Sequence, residues 1–134
     1  MVEKIENENS YCFACGVENP IGLHLDFHFD GEYYIAEYET KREYQSYDGI
    51  VHGGIISTFL DEAMGGYLYE KGYTAVTARL NIRYREKTPT GVPLKIASWI
   101  TSRRGSFVDM AATVSLPDGT VTAEGTAKMA IVEE

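Results

Sequence analysis

No stretch of this chain is rich in proline or serine, none is low in complexity, and none repeats another. Linkers, solvated tails and repeat arrays are thereby excluded, and 134 residues fit one domain, 1–134, whose polar start, 1–11, is expected to be loose. No apolar run is long enough to span a bilayer. Met1-Val2-Glu3-Lys4-Ile5-Glu6 has neither the basic nor the apolar region of a signal peptide, so the expectation is a cytoplasmic protein with no membrane contact. Basic residues are also short, 12 against 20 acidic ones, and the net charge of −8 argues against nucleic acid as a partner. There is no G-x-S-x-G elbow, no G-x-G-x-x-G and no P-loop, which removes the nucleophile and nucleotide sites those motifs build.

Cysteine is scarce as well. Cys12-Phe13-Ala14-Cys15 supplies two thiols, and a closed zinc site wants four ligands. His24 and His28 are the available partners, but they sit in a strand-like alternation where four residues span about 13 Å. Two imidazoles so placed do not easily reach one ion. The pair is therefore expected to be reduced thiols in a turn, with no metal and no cofactor.

The charge that is present is unevenly placed. From Arg79 to Val108 the chain carries Arg79, Arg83, Arg85, Lys87, Lys95, Arg103 and Arg104 against Glu86 alone, a segment of +6 in a remainder of −14. It is either a solvated strand face or a site for a small polyanion such as a ligand's phosphates.

Periodicity gives the outline. Leu23, Leu25, Phe27 and Phe29 alternate with polar residues as a half-buried strand, Asp30-Gly31 turns it, and residues 33–40 return. After a loop over 41–51, Ile55, Ile56, Phe59, Leu60, Ala63, Met64, Tyr67 and Leu68 fall on one helical face, so a helix runs from about Gly53 to Lys71 and stops at Gly72. Strands are expected over 74–88, 94–102, 107–116 and 120–132. The class is α+β, an antiparallel sheet packed on one long helix. One helix covers one sheet face and leaves edges open, which a second copy would satisfy.

Chemistry concentrates at the helix entrance. His52-Gly53-Gly54 presents backbone N–H groups where the helix dipole favours negative charge, and a carboxylate pair, Asp61-Glu62, follows two turns later. Amides and a carboxylate are parts suited to polarising a carbonyl and directing a nucleophile at it. Asp61 and Glu62 flank the apolar face on opposite sides, so spacing does not choose between them. Asp61 shares its side with Gly54, Ser57 and Gly65, which leave room for a ligand. His52 is a general base or a structural hydrogen-bonding residue. Gly65-Gly66, costing roughly 1 kcal/mol each inside a helix, suggests close approach of another chain or a ligand.

These residues resemble a known family. His52-Gly53-Gly54, six residues, then Asp61-Glu62-Ala63, with Leu80-Asn81-Ile82-Arg83-Tyr84 downstream, look like the hotdog-fold acyl-CoA thioesterases of the phenylacetic-acid-pathway type. Cys12-Phe13-Ala14-Cys15-Gly16 and Asn19-Pro20-Ile21-Gly22-Leu23 resemble one branch of that superfamily. The resemblance spans about 12–132 and implies a hotdog fold, an antiparallel sheet wrapped around one long central helix. It implies hydrolysis of an acyl-CoA thioester, with Asp61 as general base or nucleophile and the Gly53 N–H polarising the carbonyl. His52 then stands beside the thioester, and Thr77 helps hold the water. Where many members carry Asn three residues before the glycine that here is Gly49, this chain has Ser46, with Gln45 beside it to take the polar role. Gly54, Ser46, Glu62, Lys87, Arg103 and Arg104 are the candidate substrate contacts. Family members form dimers, often tetramers, with sites at the interface. A non-catalytic acyl-CoA-binding module on the same fold is the alternative, and a hotdog hydratase a weaker one, since no D-x-x-x-x-H arrangement occurs.

Overall fold

The structure, a computed structural model, describes residues 10–133. The expectation for the polar start therefore lies outside the described residues as far as position 9. Ser10 and Tyr11 belong to a turn: the Ser10 carbonyl accepts from Glu18 N–H at 2.9 Å and the Tyr11 carbonyl from Asn19 Nδ2 at 3.1 Å.

Six strands form one antiparallel sheet: β1 (His28–Asp30), β2 (Tyr33–Glu39), β3 (Thr74–Tyr84), β4 (Pro93–Arg104), β5 (Phe107–Ser115) and β6 (Val121–Glu133), in the order β1-β2-β4-β5-β6-β3. A single long helix, α1 (Gly53–Glu70), lies against it. This is the hotdog fold. The helix ends where glycine can take the left-handed conformation: Gly72 has φ +96°, its N–H bonds the Tyr69 carbonyl, and Tyr73 N–H reaches back to Leu68.

Of the eight apolar positions on the expected helix face, seven are buried and Ile55 is half-buried. Phe59, Leu60, Ala63 and Met64 are entirely inaccessible and meet Ile96, Met110, Ala112 and Val114 from the sheet. Each large side chain so buried contributes about 1.5–3 kcal/mol. Ser98 of β4 donates its buried hydroxyl to the Ala63 carbonyl, fastening sheet to helix mid-length.

One strand expectation needs correction. Only residues 28–30 of the alternating segment from Leu23 pair with β2. Leu23 and Leu25 are buried as the alternation requires, but their N–H groups go to Phe13 and Ala14 of the cysteine turn, and His24 stands at φ +58°. Burial periodicity holds there without a ladder.

Of the two outer strands, β1 has three residues and β3 eleven. Strand β3 pairs only with β6, so its other side presents a long row of unpaired backbone groups.

Candidate active site

Helix α1 begins on His52, which is extended at φ −60°, ψ 136°. Its Nδ1 accepts the Gly54 N–H at 2.9 Å, so the imidazole caps the helix and carries any ring proton of its neutral form on Nε2. The structural alternative for His52 is the one that this geometry favours. A Cβ at Gly54 would sit 3.2 Å from the ring nitrogen, which suits glycine there.

The Gly53 N–H is left over. The carbonyl of its own peptide, on His52, accepts from Ile55 and Ile56 inside the helix. A trans peptide then aims the Gly53 N–H the opposite way, out of the helix end, and among the described residues it donates to nothing. Tyr84 and Ser57 fix the next peptide: the Gly53 carbonyl accepts from Tyr84 Oη at 2.9 Å and Ser57 Oγ at 3.1 Å, and those hydroxyls are 2.7 Å apart. By strand alternation Tyr84 shares a side of β3 with Leu80 and Ile82. Its ring is half exposed, and its hydroxyl holds the helix entrance. Only the polar end of tyrosine, placed on the strand after the helix, hinted at this.

The preceding loop is tied down by its own backbone. The Gln45 side-chain oxygen accepts the Gly49 N–H at 3.1 Å, Ser46 N–H bonds Ile50, and Val51 N–H bonds Thr88. Gln45 thus braces the Asp48-Gly49 turn, where Gly49 has φ +79°.

Asp61 and Glu62 lie on opposite flanks of α1, as the helical wheel expects, and both line a cavity of about 400 Å³ along its outer side. On the Asp61 flank, Thr77 of β3 donates its hydroxyl to Asp61 Oδ1 at 2.8 Å. Gly65 leaves this flank open, the nearest group to an added Cβ being the Met129 methyl at 3.8 Å. On the Glu62 flank stand Cys12, Cys15 and Tyr34, and the Tyr34 ring comes within 3.1 Å of where a Cβ at Gly66 would be. Burial raises the Glu62 carboxyl above the ordinary range; a hydrogen bond with Cys15 opposes the rise, and the charge on Asp61 adds to it.

Gly53 and Asp61 do not meet within one chain. Eight residues of helix separate them by about 12 Å, and Gly53 lines a different hollow, with Tyr84, Arg85, Glu86 and Lys87. Lys87 thus lines the same hollow as Gly53. Arg103 and Arg104 do not: Arg103 donates to the Gly105 carbonyl and the Tyr73 hydroxyl at 3.0 and 3.1 Å, just past the far end of α1. No helix among the described residues is long and apolar enough to cross a membrane.

The sequence profile of the thioesterase superfamily matches residues 48–123, more than half the chain, from the loop through most of the sheet. No curated protein sequence matches. Among solved structures, the chain is similar to a crystallised thioesterase superfamily protein at 23% identity and a TM-score of 0.85, covering 97% of this chain and 68% of that one. A protein from Streptococcus mutans UA159 bound to acetyl CoA matches at 24% identity and 0.76, covering 82% and 90%. The Escherichia coli PaaI protein from the phenylacetic acid degradation operon matches at 14% identity and 0.76, covering 82% and 80%. With the helix-entrance glycines and the helix carboxylate both in the matched region, the chain belongs to the thioesterase superfamily.

Proposed function

We propose that the protein is an acyl-CoA thioesterase, converting R–CO–S–CoA and water to R–COOH and free CoA. The observation that carries this reading is the Thr77–Asp61 hydrogen bond at the mouth of a cavity, on a fold whose helix entrance offers an undonated Gly53 N–H. Thr77 takes one carboxylate oxygen of Asp61 and leaves the other to accept a proton from water. The activated water attacks the thioester carbonyl, whose developing negative charge the Gly53 N–H stabilises by roughly 3–4 kcal/mol. Asp61 attacking directly, through an anhydride that water then opens, uses the same groups. That a Streptococcus mutans protein of this fold is bound to acetyl CoA supports coenzyme A as the carrier here.

Because Gly53 and Asp61 of one chain lie apart, the working site takes them from two chains. Pairing two β3 edges antiparallel about a twofold near Leu80 lays the Thr77 end of one strand beside the Tyr84 end of the other. Thr77 is bonded to Asp61 and Tyr84 to Gly53, so this brings Asp61 to the partner's Gly53. The same pairing satisfies the long open edge. Lys87, beside Gly53, is then placed for coenzyme A phosphates. Hydrolysis of short, medium, long and aryl acyl-CoAs, followed with a thiol reagent, tests the activity; a protein that releases no CoA thiol from any of them is the non-catalytic binding module instead.

A further inference from the structure

We propose that Cys12, Cys15 and Glu62 form a binding site for one zinc ion on the wall of the cavity that Asp61 shares. The Sγ atoms of the two cysteines and a Glu62 carboxylate oxygen all lie within 4.8 Å of one another. Tetrahedral zinc at its usual bond lengths holds such ligands about 3.5–3.8 Å apart, so the groups need to close by only about an ångström. The ligands are neither His24, whose Nε2 is engaged with the Asn19 carbonyl at 2.6 Å, nor His28, which stands on β1. The third ligand comes from the helix, 47 positions beyond Cys15, where no local spacing rule would look for it.

The cysteine turn is built to hold its shape. Gly16 N–H bonds the Cys12 carbonyl at 2.8 Å, and Leu23 and Leu25 pin Phe13 and Ala14 between the two cysteines. A Cβ at Gly16 would lie 2.3 Å from the Cys12 nitrogen, so only glycine lets the chain fold back this closely. The turn is thus pressed onto the Glu62 flank of α1 with both thiols half-buried beside the carboxylate.

Charge points the same way. Asp26, Asp61, Glu62, Glu70 and both cysteines line the cavity, with no lysine or arginine among its lining residues. A divalent ion resolves this crowding, and a thiolate pair selects zinc over magnesium or calcium. Binding releases both thiol protons to solvent, together with any proton on Glu62, and leaves a site of net charge −1 with its fourth position facing the cavity. The inference is independent of thioester hydrolysis, because it is read from metal binding itself.

The test is titration of the reduced, chelator-treated full-length protein with Zn²⁺, and with Co²⁺ as a spectroscopic probe. The expected result is one zinc per chain, a thiolate-to-cobalt charge-transfer band, and a rise in melting temperature with zinc. Glu62→Gln should weaken zinc binding by more than the roughly tenfold that loss of an outer partner costs, and Cys12→Ser with Cys15→Ser should abolish the band. Absence of the band in the wild-type protein, or zinc affinity unchanged in Glu62→Gln, overturns the proposal. Should the serine variant fail to fold, the wild-type protein still decides: zinc should shield both thiols from iodoacetamide, and alkylation of both at the apo rate overturns the site.

Discussion

Thr77 Oγ1 donates to Asp61 Oδ1 at 2.8 Å, joining the outer strand of the sheet to the middle of the helix. This contact orients the carboxylate by a donor that does not compete for its second oxygen. Asp61→Asn is therefore expected to lower kcat at least 100-fold, about 2.7 kcal/mol of barrier, with KM little changed. Thr77→Val, which keeps the shape and loses the hydroxyl, should lower kcat about tenfold, and Thr77→Ser should restore most of it. Steady-state kinetics on one acyl-CoA checks all three. An Asp61→Asn enzyme above a tenth of the wild-type rate would move the chemistry to another group, Glu62 first.

Gly53 allows a cleaner cut. It is the first residue of the helix and follows an extended His52, a setting that proline accepts. Gly53→Pro deletes the exposed N–H while retaining the helix, and kcat should fall about 10²–10³-fold. Gly53→Ala keeps the amide, and its Cβ meets Tyr84 at an ordinary 3.6 Å, so its activity should stay near wild type. Equal losses in both variants would show that bulk at the helix entrance, rather than the donor, sets the rate.

Much of this frame was legible. The helix and its stop are written in a 3.6-residue period and in Gly72, and the last four strands in alternation between turn signals. The segment from Leu23 misled because alternation reports which side chains are buried, not where the N–H groups go; Leu23 and Leu25 give theirs to the cysteine turn. At the site, the helix-entrance glycines and the carboxylate pair stood out in the sequence, but spacing did not choose Asp61 over Glu62; only the resemblance did. The capping role of His52, the Gln45 brace and the Tyr84 anchor were not legible, because each depends on which way a side chain turns. The Cys15–Glu62 contact links positions far apart in the chain, which no local pattern encodes.

Lys87 lines the same hollow as Gly53, and the phosphate contact proposed for it would serve ground-state and transition-state binding alike, so Lys87→Ala should raise KM several-fold with kcat nearly unchanged. The N-acetylcysteamine thioester, lacking the phosphates, should not register the change, and high salt should shrink it. Arg103 is bound up with Gly105 and Tyr73, so its loss should cost stability as well. Equal losses on both substrates would assign these cations to the fold.

Tyr38 donates to the Leu23 carbonyl at 2.6 Å, and burial, with Tyr44 adding to it, pushes its phenol from 10.0 up to about 12. A folded value above the unfolded one stabilises fully below about pH 10 and is lost as the pH rises through about 12. Tyr38→Phe should be about 1 kcal/mol less stable at pH 8 and should lose stability less steeply between pH 10 and 12. Urea unfolding across that range checks it, and an identical slope in both proteins would remove Tyr38 from the alkaline transition.

The most direct measurement mixes two inactive chains. Asp61→Asn and Gly53→Pro are each expected to be nearly inactive alone. If every site takes Asp61 from one chain and Gly53 from another, a mixed dimer holds one fully wild-type site and one doubly damaged one. Unfolding the two variants together and refolding them should restore about a quarter of the wild-type activity, the share expected from random twofold pairing. Activity no higher than the sum of the two variants, with mixed dimers present by mass, would contradict a site shared between chains.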